Sequence, residues 1–325
     1  RDAPMLLLKA RLALELPPIN KALSRAAEGL PHPVRPIARH IFEAGGKRLR
    51  PLLTILMARL LGYDKKDIYD LAVTMEMLHA ATLLHDDVLD NADTRRGKPA
   101  AHTLFSATST ILAGDAMLAH ANALVARCGD PRLCLCFSEA TSRTAAGEIL
   151  EIAAQHRVET TAEEYEEIIR GKTAWLIRAS CQLGALRAGA DDARVEAAAA
   201  YGENIGMAFQ IVDDALDFAP QSITGKPSGG DVREGKLTPP LRMYRDSLDD
   251  AARAAFDQAF NDASFTAGDA GRIADSIRAA GFDQATRMAA EGYLDKARAA
   301  LASLPSGPEQ DILQQMADYV RDRKK

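Results

Sequence analysis

Two clusters of aspartates are the residues best able to do chemistry in this sequence. The first, HDDVLD, contains Asp86, Asp87 and Asp90 at the end of a long run with apolar residues at helical spacing. Residues four apart lie on one face of a helix, so Asp86 and Asp90 point together while Asp87 points about 100° away. Because like charges at this spacing repel each other, the pattern predicts a cation there. Mg²⁺, which binds one or two carboxylates together with substrate phosphates, fits this description.

A second copy of the pattern strengthens this interpretation. A single DDxxD is also typical of a solvated acidic helix face. FQIVDDALD repeats the spacing at Asp213, Asp214 and Asp217, again between apolar residues. If the two helices faced each other, their carboxylates would form an acidic cleft that requires divalent cations. We therefore expect a metal site.

Basic residues follow the first cluster and also precede it in the chain. Arg95 and Arg96 belong to RRGKP, which ends the helical pattern, and GGKRLRP carries Lys47 and Arg50 beside two glycines. The proline of that motif favours the start of a helix. Positive charge and free backbone N–H groups at a helix start can hold a diphosphate, although such loops are often only solvated turns.

Two glycine-containing segments carry further cations. Gly171 lies inside a helical pattern, where it costs about 1 kcal/mol relative to Ala, and this predicts a local kink that exposes Lys172 and Thr173. The segment after the second cluster, residues 219–235, is rich in glycine. This segment and the residue that follows it contribute Lys226 and Lys236, which predicts either a lid over a phosphate or a plain surface loop.

The elements that must position these residues are helices. The 325 residues are rich in Ala, Leu, Glu, Arg and Lys and nearly lack alternating β-branched runs, which predicts an all-α fold. We find no domain boundary and predict one domain over residues 1–325. The expected helices cover residues 5–16, 19–28, 67–91, 103–127, 131–155, a helix beginning at a capping box of Thr161 and Glu164, 191–218, several between 237 and 304, and 310–323. The last helix ends in a basic tail that would close over an anionic substrate or, as we expect, be a frayed end.

Composition excludes several classes of function. The net charge of −5 gives no reason to expect nucleic-acid binding, and no segment has the length and hydropathy of a membrane span. The four cysteines show neither CxxC pairs nor histidines at zinc-ligand spacing, so we predict reduced thiols and a cytoplasmic location. No activated Ser or Cys nucleophile is evident.

The motifs together resemble the trans-isoprenyl diphosphate synthase (polyprenyl synthetase) family. GGKRLRP, HDDVLD with RRGKP, GKT, FQIVDDALD and GKPSGGD…GK occur in that order between about residues 37 and 241. The resemblance implies an all-α bundle or barrel of the isoprenoid synthase type with a central apolar tunnel, assembled as a homodimer. It implies a Mg²⁺-dependent prenyltransferase that condenses an allylic diphosphate (geranyl or farnesyl) with isopentenyl diphosphate. The product would be an all-trans polyprenyl diphosphate longer than C15.

The resemblance also implies a role for each matching residue. Of three Mg²⁺ ions, two would bind Asp86 and Asp90 and the third Asp213, supported by Asp87, Asp214 and Asp217. The allylic diphosphate would contact Arg95, Lys172, Lys226 and Lys236, and isopentenyl diphosphate would contact Lys47, Arg50, His79 and Arg96. Thr173 and Gln210 would direct oxygens at the forming allylic cation. From the residues alone, His79 is more typical of a satisfied core histidine.

In this family, residues before the first aspartate cluster form the floor of the tunnel. Here the fifth residue before Asp86 is Ala81, so no aromatic ring stops growth at C15. We expect the facing helix to offer a small-residue wall, made of Ala116, Ala119, Ala121 and Ala123. This favours products from C20 up to about C40–C50, and the longer end is our prediction. The simpler interpretation is that Ala81 is only a good helix former.

Other functions share some of these features. A short-chain farnesyl or geranylgeranyl diphosphate synthase would differ only in product length. A class I terpene cyclase would share the fold and the first cluster but usually has a different second motif and no isopentenyl site. A metal-dependent phosphohydrolase needs more His and Asp ligands than we can assemble. A non-catalytic subunit of a heteromeric synthase would tend to lose the acidic motifs, and this chain keeps both.

Overall fold

The computed structural model describes residues 5–224 and 227–323 and divides the chain into two compact units. The first unit comprises residues 1–141, 176–199 and 301–313, and the second comprises residues 142–175, 200–300 and 314–325. Each unit contributes one of the two aspartate clusters. The prediction of a single domain over 1–325 stays a prediction.

Helices account for almost all regular structure of the described residues. In chain order they are α1 (Leu6–Glu28), α2 (Arg35–Glu43), α3 (Leu49–Leu60), α4 (Ile68–Leu89), α5 (Ala101–Phe105), α6 (Ala107–Ala126), α7 (Pro131–Ala154), α8 (Ala162–Ile169), a π-helix (Arg170–Ala174), α9 (Trp175–Arg187), α10 (Asp192–Asp217), α11 (Gln221–Thr224), α12 (Gly230–Glu234), α13 (Pro239–Ser247), α14 (Asp250–Asn261), α15 (Ala267–Ala280), α16 (Phe282–Ala302) and α17 (Pro308–Arg321). The all-α prediction is confirmed.

Helix α4 is the centre of the first unit. Most of its residues are buried on every side, which is typical of a helix surrounded by other helices. It packs against α6, α3 and α1. Because its apolar surface fixes its position so firmly, the aspartates at its C-terminal end have a rigid support.

A short hairpin follows α4 and holds the two arginines of RRGKP. Strand β1 (Thr94–Arg95) pairs antiparallel with β2 (Lys98–Pro99), and Arg96 and Gly97 form the turn with φ of 53° and 77°. Positive φ at both turn residues is typical of tight hairpins. The sequence predicted the end of the helix here but not the strand pair.

Two predicted helix boundaries are wrong. Pro17 and Pro18 do not end the first helix, since α1 continues through both to Glu28. Burial of apolar residues on both sides of the prolines outweighs the local cost of a proline in a helix. Conversely, the predicted helix over 103–127 is broken at Ser106, whose φ is 78°.

In the second unit, the capping box is confirmed. Thr161 accepts from the backbone N–H of Glu164, and the Glu164 carboxylate accepts from the backbone N–H of Thr161. Helix α8 then passes into the π-helix, which contains Gly171, Lys172 and Thr173. The irregularity predicted at Gly171 is a π-helical turn, but the expectation that it exposes Lys172 and Thr173 is wrong for Thr173, which packing buries, and Lys172 is only partly exposed. Single π-helical turns within α-helices occur frequently at functional sites.

A separate apolar core supports the segment after the second aspartate cluster. Phe218 and Val232, at the two ends of that segment, pack with Phe256, Phe260 and residues of α15. The rings of Phe256 and Phe260 stack with their centroids 5.8 Å apart. Residues of α14 and α15 thus hold both ends of the glycine-rich segment.

No helix within the described ranges combines the length and apolar character needed to cross a bilayer.

Candidate active site

The first aspartate cluster occupies the last turn of α4. Asp86 is partly exposed, and Asp90, which directly follows the helix, is exposed. The side chain of Asp87 is completely buried. Two carboxylates therefore reach the surface while the third points inward, as the helical spacing predicted.

Asp87 holds Arg95 of the hairpin. Its Oδ1 accepts from Arg95 Nε at 2.8 Å and from Nη2. The other oxygen, Oδ2, is buried with no hydrogen-bond partner among the described residues. A charge-assisted contact of this kind fixes the guanidinium plane, so Asp87 fixes Arg95 at the end of the helix that also carries Asp86.

Both aspartate clusters lie at the negative end of a helix dipole. The last turn of α4 and that of α10 contain no basic residue. A helix C-terminus favours cations by about 0.3–1 kcal/mol and disfavours carboxylates correspondingly. Both helices thus carry acidic residues where the helix dipole favours basic ones, and such a local conflict is typical of functional sites. Each cluster is therefore a place where a bound cation is favourable.

The basic loop between α2 and α3 contains one structural arginine. Arg48 is buried, its Nη1 donates to Glu76 Oε1 at 2.7 Å, and its Nη2 donates to the carbonyl of Phe42 at 2.6 Å. This contact attaches the loop to α4. Lys47 beside it is exposed.

Arg50, His79 and Arg96 share one electropositive region. Burial lowers the pKa of His79 well below its usual value, and the charges of Arg50 and Arg96 lower it further. Burial also lowers the pKa values of both arginines, with Glu76 as the opposing charge. The Nε of Arg50 is buried with no hydrogen-bond partner among the described residues. A cluster of positive charge with an unused donor is suited to an anion.

Gly46 allows Arg96 to approach the basic loop. Arg96 Nη1 donates to the carbonyl oxygen of Gly45, and a Cβ built on Gly46 would lie only 2.7 Å from the same Nη1. The predicted glycines thus do more than free the backbone, since one of them leaves space for a guanidinium group.

In the second unit, two glycines bring the π-helix against α7. A Cβ on Gly147 would lie 2.3 Å from the backbone nitrogen of Lys172, and one on Gly171 would lie 2.8 Å from Gly147 Cα. This close approach places Lys172 Nζ 2.9 Å from Glu148 and 2.7 Å from Glu151.

Glu151 joins two of the predicted lysines. It contacts Lys236 Nζ at 3.1 Å as well as Lys172. Burial alone would raise the pKa of Glu151, but the two lysines lower it below its usual value. Lys236 also pairs with Glu234 at 2.8 Å. Both ammonium groups are therefore held ionised at fixed positions.

Asp213 of the second cluster is paired with Arg323 of the predicted basic tail, whose Lys324 and Lys325 lie outside the described residues. Arg323 Nη2 lies 2.9 Å from Asp213 Oδ1, and its guanidinium carbon lies 4.0 Å from the centroid of the Phe209 ring. Its side chain is only 9% exposed. The expectation of a frayed end is therefore wrong for Arg323, because ion pairing and stacking outweigh the entropy of a free terminus.

Burial opposes ionisation of Asp214, Asp217 and the neighbouring Asp231. Burial raises the pKa of Asp214 to about 7, against hydrogen bonds from Tyr165 and Gln210, and Asp213 and Glu151 raise it as well. Burial also raises the pKa of Asp217, although it accepts from the Asp231 backbone N–H at 2.9 Å. The pKa of Asp231 is raised well above its usual value by burial and by Asp217.

Thr173 and Gln210 are in direct contact. Thr173 Oγ1 donates to Gln210 Oε1 at 2.8 Å, and Gln210 Nε2 donates to Asp214 Oδ1 at 2.8 Å. The two residues predicted to direct oxygens at a cation are thus joined to each other and to the second cluster.

The donor chemistry fits Mg²⁺. The candidate ligands in each cluster are carboxylate oxygens, which hard cations prefer, and a divalent ion would relieve the repulsion within a cluster. Within residues 5–224 and 227–323, no three His, Cys, Asp or Glu side chains already converge as a complete ligand set. Mg²⁺ is usually bound by few carboxylates, substrate phosphates and water rather than by an all-protein cage.

The structure thus describes every predicted site residue except Lys226, which lies outside the described residues. Sequence reasoning missed three residues that contact the predicted ones. Glu151 holds two lysines, Tyr165 donates to Asp214, and Asp231 donates its N–H to Asp217. Asp231 belongs to a quoted motif, whereas Glu151 and Tyr165 carried no spacing signal.

Known proteins match this chain over nearly its whole length. The family model described as "Polyprenyl synthetase" matches residues 31–275. "Heptaprenyl diphosphate synthase component 2" of Geobacillus stearothermophilus is 35% identical over 314 residues, covering 96% of this chain and 97% of that protein.

Two crystal structures are similarly close. A decaprenyl diphosphate synthase from Rhodobacter capsulatus has a TM-score of 0.91 and 38% identity, with 98% of both chains covered. A polyprenyl synthase from Caulobacter crescentus CB15, complexed with calcium and isoprenyl diphosphate, has a TM-score of 0.91, 36% identity and the same coverage. With these matches and the motif geometry described above, the chain belongs to the polyprenyl synthetase family of prenyltransferases.

Proposed function

We propose that this chain condenses geranyl or farnesyl diphosphate with isopentenyl diphosphate, in the presence of Mg²⁺, to give an all-trans polyprenyl diphosphate longer than C15. One observation carries the proposal. Each aspartate cluster lies at a helix C-terminus that favours a cation, with a neighbouring arginine or lysine held in place by a carboxylate. Charge arranged in this way suits a diphosphate that must leave as an anion.

Asp86, Asp90 and Asp213 are the proposed Mg²⁺ ligands, for three ions in all. Bound Mg²⁺ would supply positive charge for the departing diphosphate. The other three aspartates have a supporting role. Asp87 accepts from Arg95, Asp214 accepts from Gln210, and Asp217 accepts from the Asp231 N–H. The Caulobacter relative bound to calcium and isoprenyl diphosphate supports the use of a divalent ion.

The basic side chains are assigned to the diphosphates of two different substrates. Arg95, Lys172 and Lys236 would bind that of the allylic substrate, and each is anchored by a carboxylate. Isopentenyl diphosphate would bind Lys47, Arg50, His79 and Arg96. The electropositive region around His79 and the unused Nε of Arg50 support the second assignment.

Ionisation of the allylic carbon–oxygen bond leaves a carbocation that oxygen dipoles can stabilise. Thr173 donates its only hydroxyl proton to Gln210, so the lone pairs of its oxygen remain available. The alkene of isopentenyl diphosphate then attacks the cation, and the released diphosphate takes the final proton. No protein nucleophile is required.

Products longer than C15 fit the residues around Ala81. Ala81, Leu78 and Met77 of α4 are fully buried, and no aromatic ring occupies position 81. The named relatives are a component of a heptaprenyl diphosphate synthase and a decaprenyl diphosphate synthase, which supports the longer end of the range. The alternative is a short-chain farnesyl or geranylgeranyl diphosphate synthase. A class I terpene cyclase remains a weaker alternative, since it would have no use for the basic loop.

A homodimer is the proposed assembly. In the first unit, several large apolar side chains of α5, α6 and α7 are exposed: Leu104 (55%), Leu112 (60%), Leu135 (69%) and Ile111 (41%). Exposed apolar surface of this kind is typical of protein interfaces.

Four free cysteines support our proposal of a cytoplasmic location.

A product assay tests the proposed function. The purified protein is incubated with Mg²⁺, isopentenyl diphosphate and labelled farnesyl diphosphate, and the dephosphorylated products are sized. We expect Mg²⁺-dependent products longer than C15 that incorporate isopentenyl units. Cyclic hydrocarbons formed without isopentenyl diphosphate would instead establish the cyclase alternative.

A further inference from the structure

Tyr165 donates a hydroxyl hydrogen bond to the second aspartate cluster. It lies on α8, and its Oη donates to Asp214 Oδ2 at 2.5 Å. Burial and the adjacent carboxylate of Asp214 raise the pKa of Tyr165 well above its usual value. The phenol therefore keeps its proton and acts as a donor.

The contact continues as a chain of hydrogen bonds with a defined direction. Asp214 Oδ1 accepts from Gln210 Nε2 at 2.8 Å, and Gln210 Oε1 accepts from Thr173 Oγ1 at 2.8 Å. An amide has one donating end and one accepting end. Because the donating end of Gln210 is used by Asp214, its carbonyl oxygen must face Thr173.

The donor-to-acceptor direction of these hydrogen bonds depends on the position of the Asp214 carboxylate. If that carboxylate moved, the amide of Gln210 could rotate and present its N–H₂ group in place of its oxygen. The dipole next to Thr173 would then be reversed, and it would oppose a developing positive charge rather than stabilise it. A group that fixes Asp214 therefore fixes the sign of this dipole.

Tyr165 is itself placed rigidly. It lies in the first turn of α8, directly after the capping box, and its backbone N–H donates to the carbonyl of Thr161 at 3.0 Å. Glu164, the partner in the capping box, is held in turn by Arg157 at 2.6 Å. The start of α8 thus sets the position of the phenol, and the phenol sets the position of Asp214.

We propose that Tyr165 is a positioning residue for the ionisation step: through Asp214 it keeps the oxygen of Gln210, rather than its N–H₂ group, directed towards Thr173. This inference rests on the proposed role of Thr173 and Gln210 in stabilising the allylic cation. Tyr165 acts through its neighbours and does not touch the reacting atoms.

Tyr165→Phe tests this inference, with kcat and KM measured for both substrates with Mg²⁺, isopentenyl diphosphate and farnesyl diphosphate. Loss of a hydrogen bond to a charged group corresponds to about a 10- to 150-fold effect, and we expect a fall in kcat within this range. Both KM values should stay within about twofold, as should the Kd of farnesyl thiodiphosphate, an analogue that resists ionisation.

Tyr69→Phe is the matched control. Its hydroxyl also donates to a carboxylate, that of Glu15 at 2.6 Å, but in the other unit and outside every motif. We expect a similar change in Tm for the two variants and an unchanged kcat for Tyr69→Phe. A fall in kcat for Tyr165→Phe no larger than that of the control would overturn the inference.

A double-mutant cycle with Gln210→Ala separates the inference from the function on which it rests. If Tyr165 acts through Gln210, Tyr165→Phe should not lower kcat further in the Gln210→Ala background. Additive losses would overturn the positioning role alone. A wild-type kcat for Gln210→Ala would instead overturn the proposed role of Gln210, and the inference with it.

Discussion

At the scale of single residues, the pairing of charges separates structural from functional cations. Arg48 is buried against Glu76 and serves the fold. Arg95 and Lys172 are also paired, but their side chains remain partly exposed, and their carboxylate partners orient them. Arg50 has a buried, unused donor. These differences, which sequence cannot show, decide which cations are available for a diphosphate.

The division of cations between the substrates predicts a difference in KM. Lys47→Ala or Arg50→Ala should mainly raise the KM for isopentenyl diphosphate, about tenfold or more, since a charge-assisted contact with a phosphate is lost. Arg95→Ala should instead raise the KM of the allylic substrate. Steady-state kinetics with each substrate varied in turn measures both values.

Lys66→Ala is the control for these variants, because it removes an exposed lysine of the same unit. It should leave both KM values unchanged. If all three site variants raised only the allylic KM, the division would be wrong.

The regular spacing of the motifs made the candidate residues visible in the sequence, and their roles stay predictions. The contacts among them could not be predicted in the same way. Glu151 and Tyr165 were missed because they reach their partners only through tertiary packing. Glu151 is 21 residues from Lys172, and Tyr165 is 49 residues from Asp214. No short pattern records such contacts.

At the scale of elements, the junction between α7 and the π-helix is the feature most sensitive to small changes. Gly147 and Gly171 touch backbone to backbone, and this contact sets the position of Lys172. The sequence predicted a kink at Gly171, but the matching requirement at Gly147 depended on which helix packs there.

Gly147→Ala should therefore lower both Tm and kcat, since its Cβ would overlap the backbone of Lys172 at 2.3 Å. Overpacking typically costs about 1–3 kcal/mol. Differential scanning calorimetry and the condensation assay measure the two effects.

Gly292→Ala is the control for this prediction, because it adds the same methyl group inside α16, where nothing lies within 4 Å. It should raise stability by about 0.5–1 kcal/mol and leave kcat unchanged. A stable and fully active Gly147→Ala variant would contradict this explanation of the junction.

The wall facing α4 was predicted only in part. Ala121 of α6 is fully buried, but Ala119 and Ala123 are exposed, and the buried face includes Ala113, Gly114 and Met117 instead. Helix α6 carries small residues on every side, so its periodicity could not identify the buried face.

The position of Ala81 predicts the effect of adding a ring. Ala81→Phe should shorten the product to about C15, since a phenyl group would fill the space beside α4 along which the chain is expected to grow. Product sizing by chromatography checks this result. Ala81→Leu is a useful comparison and should shorten the product less. An unchanged length distribution in Ala81→Phe would mean that another residue sets the limit.

At the scale of the whole molecule, the exposed apolar residues of α5 and α6 predict self-association. The wild-type protein should have twice the mass of the chain at micromolar concentration, measured by light scattering. Leu112→Glu with Ile111→Glu should shift it towards the monomer, because buried charge at an interface is costly.

Met288→Glu is the control for assembly, since Met288 is also exposed (75%) but lies on α16 of the other unit. It should leave the dimer intact. A wild-type monomer would contradict the proposed assembly.

The central claim is that both aspartate clusters are required for one metal-dependent reaction, and turnover of two variants tests it most directly. Asp86→Ala and Asp213→Ala should each lower kcat by several orders of magnitude at saturating Mg²⁺ while helicity and Tm stay close to the wild type. Asp64→Ala, which removes an exposed aspartate paired with Arg59, should retain full activity. Near-normal turnover in either cluster variant would contradict the claim.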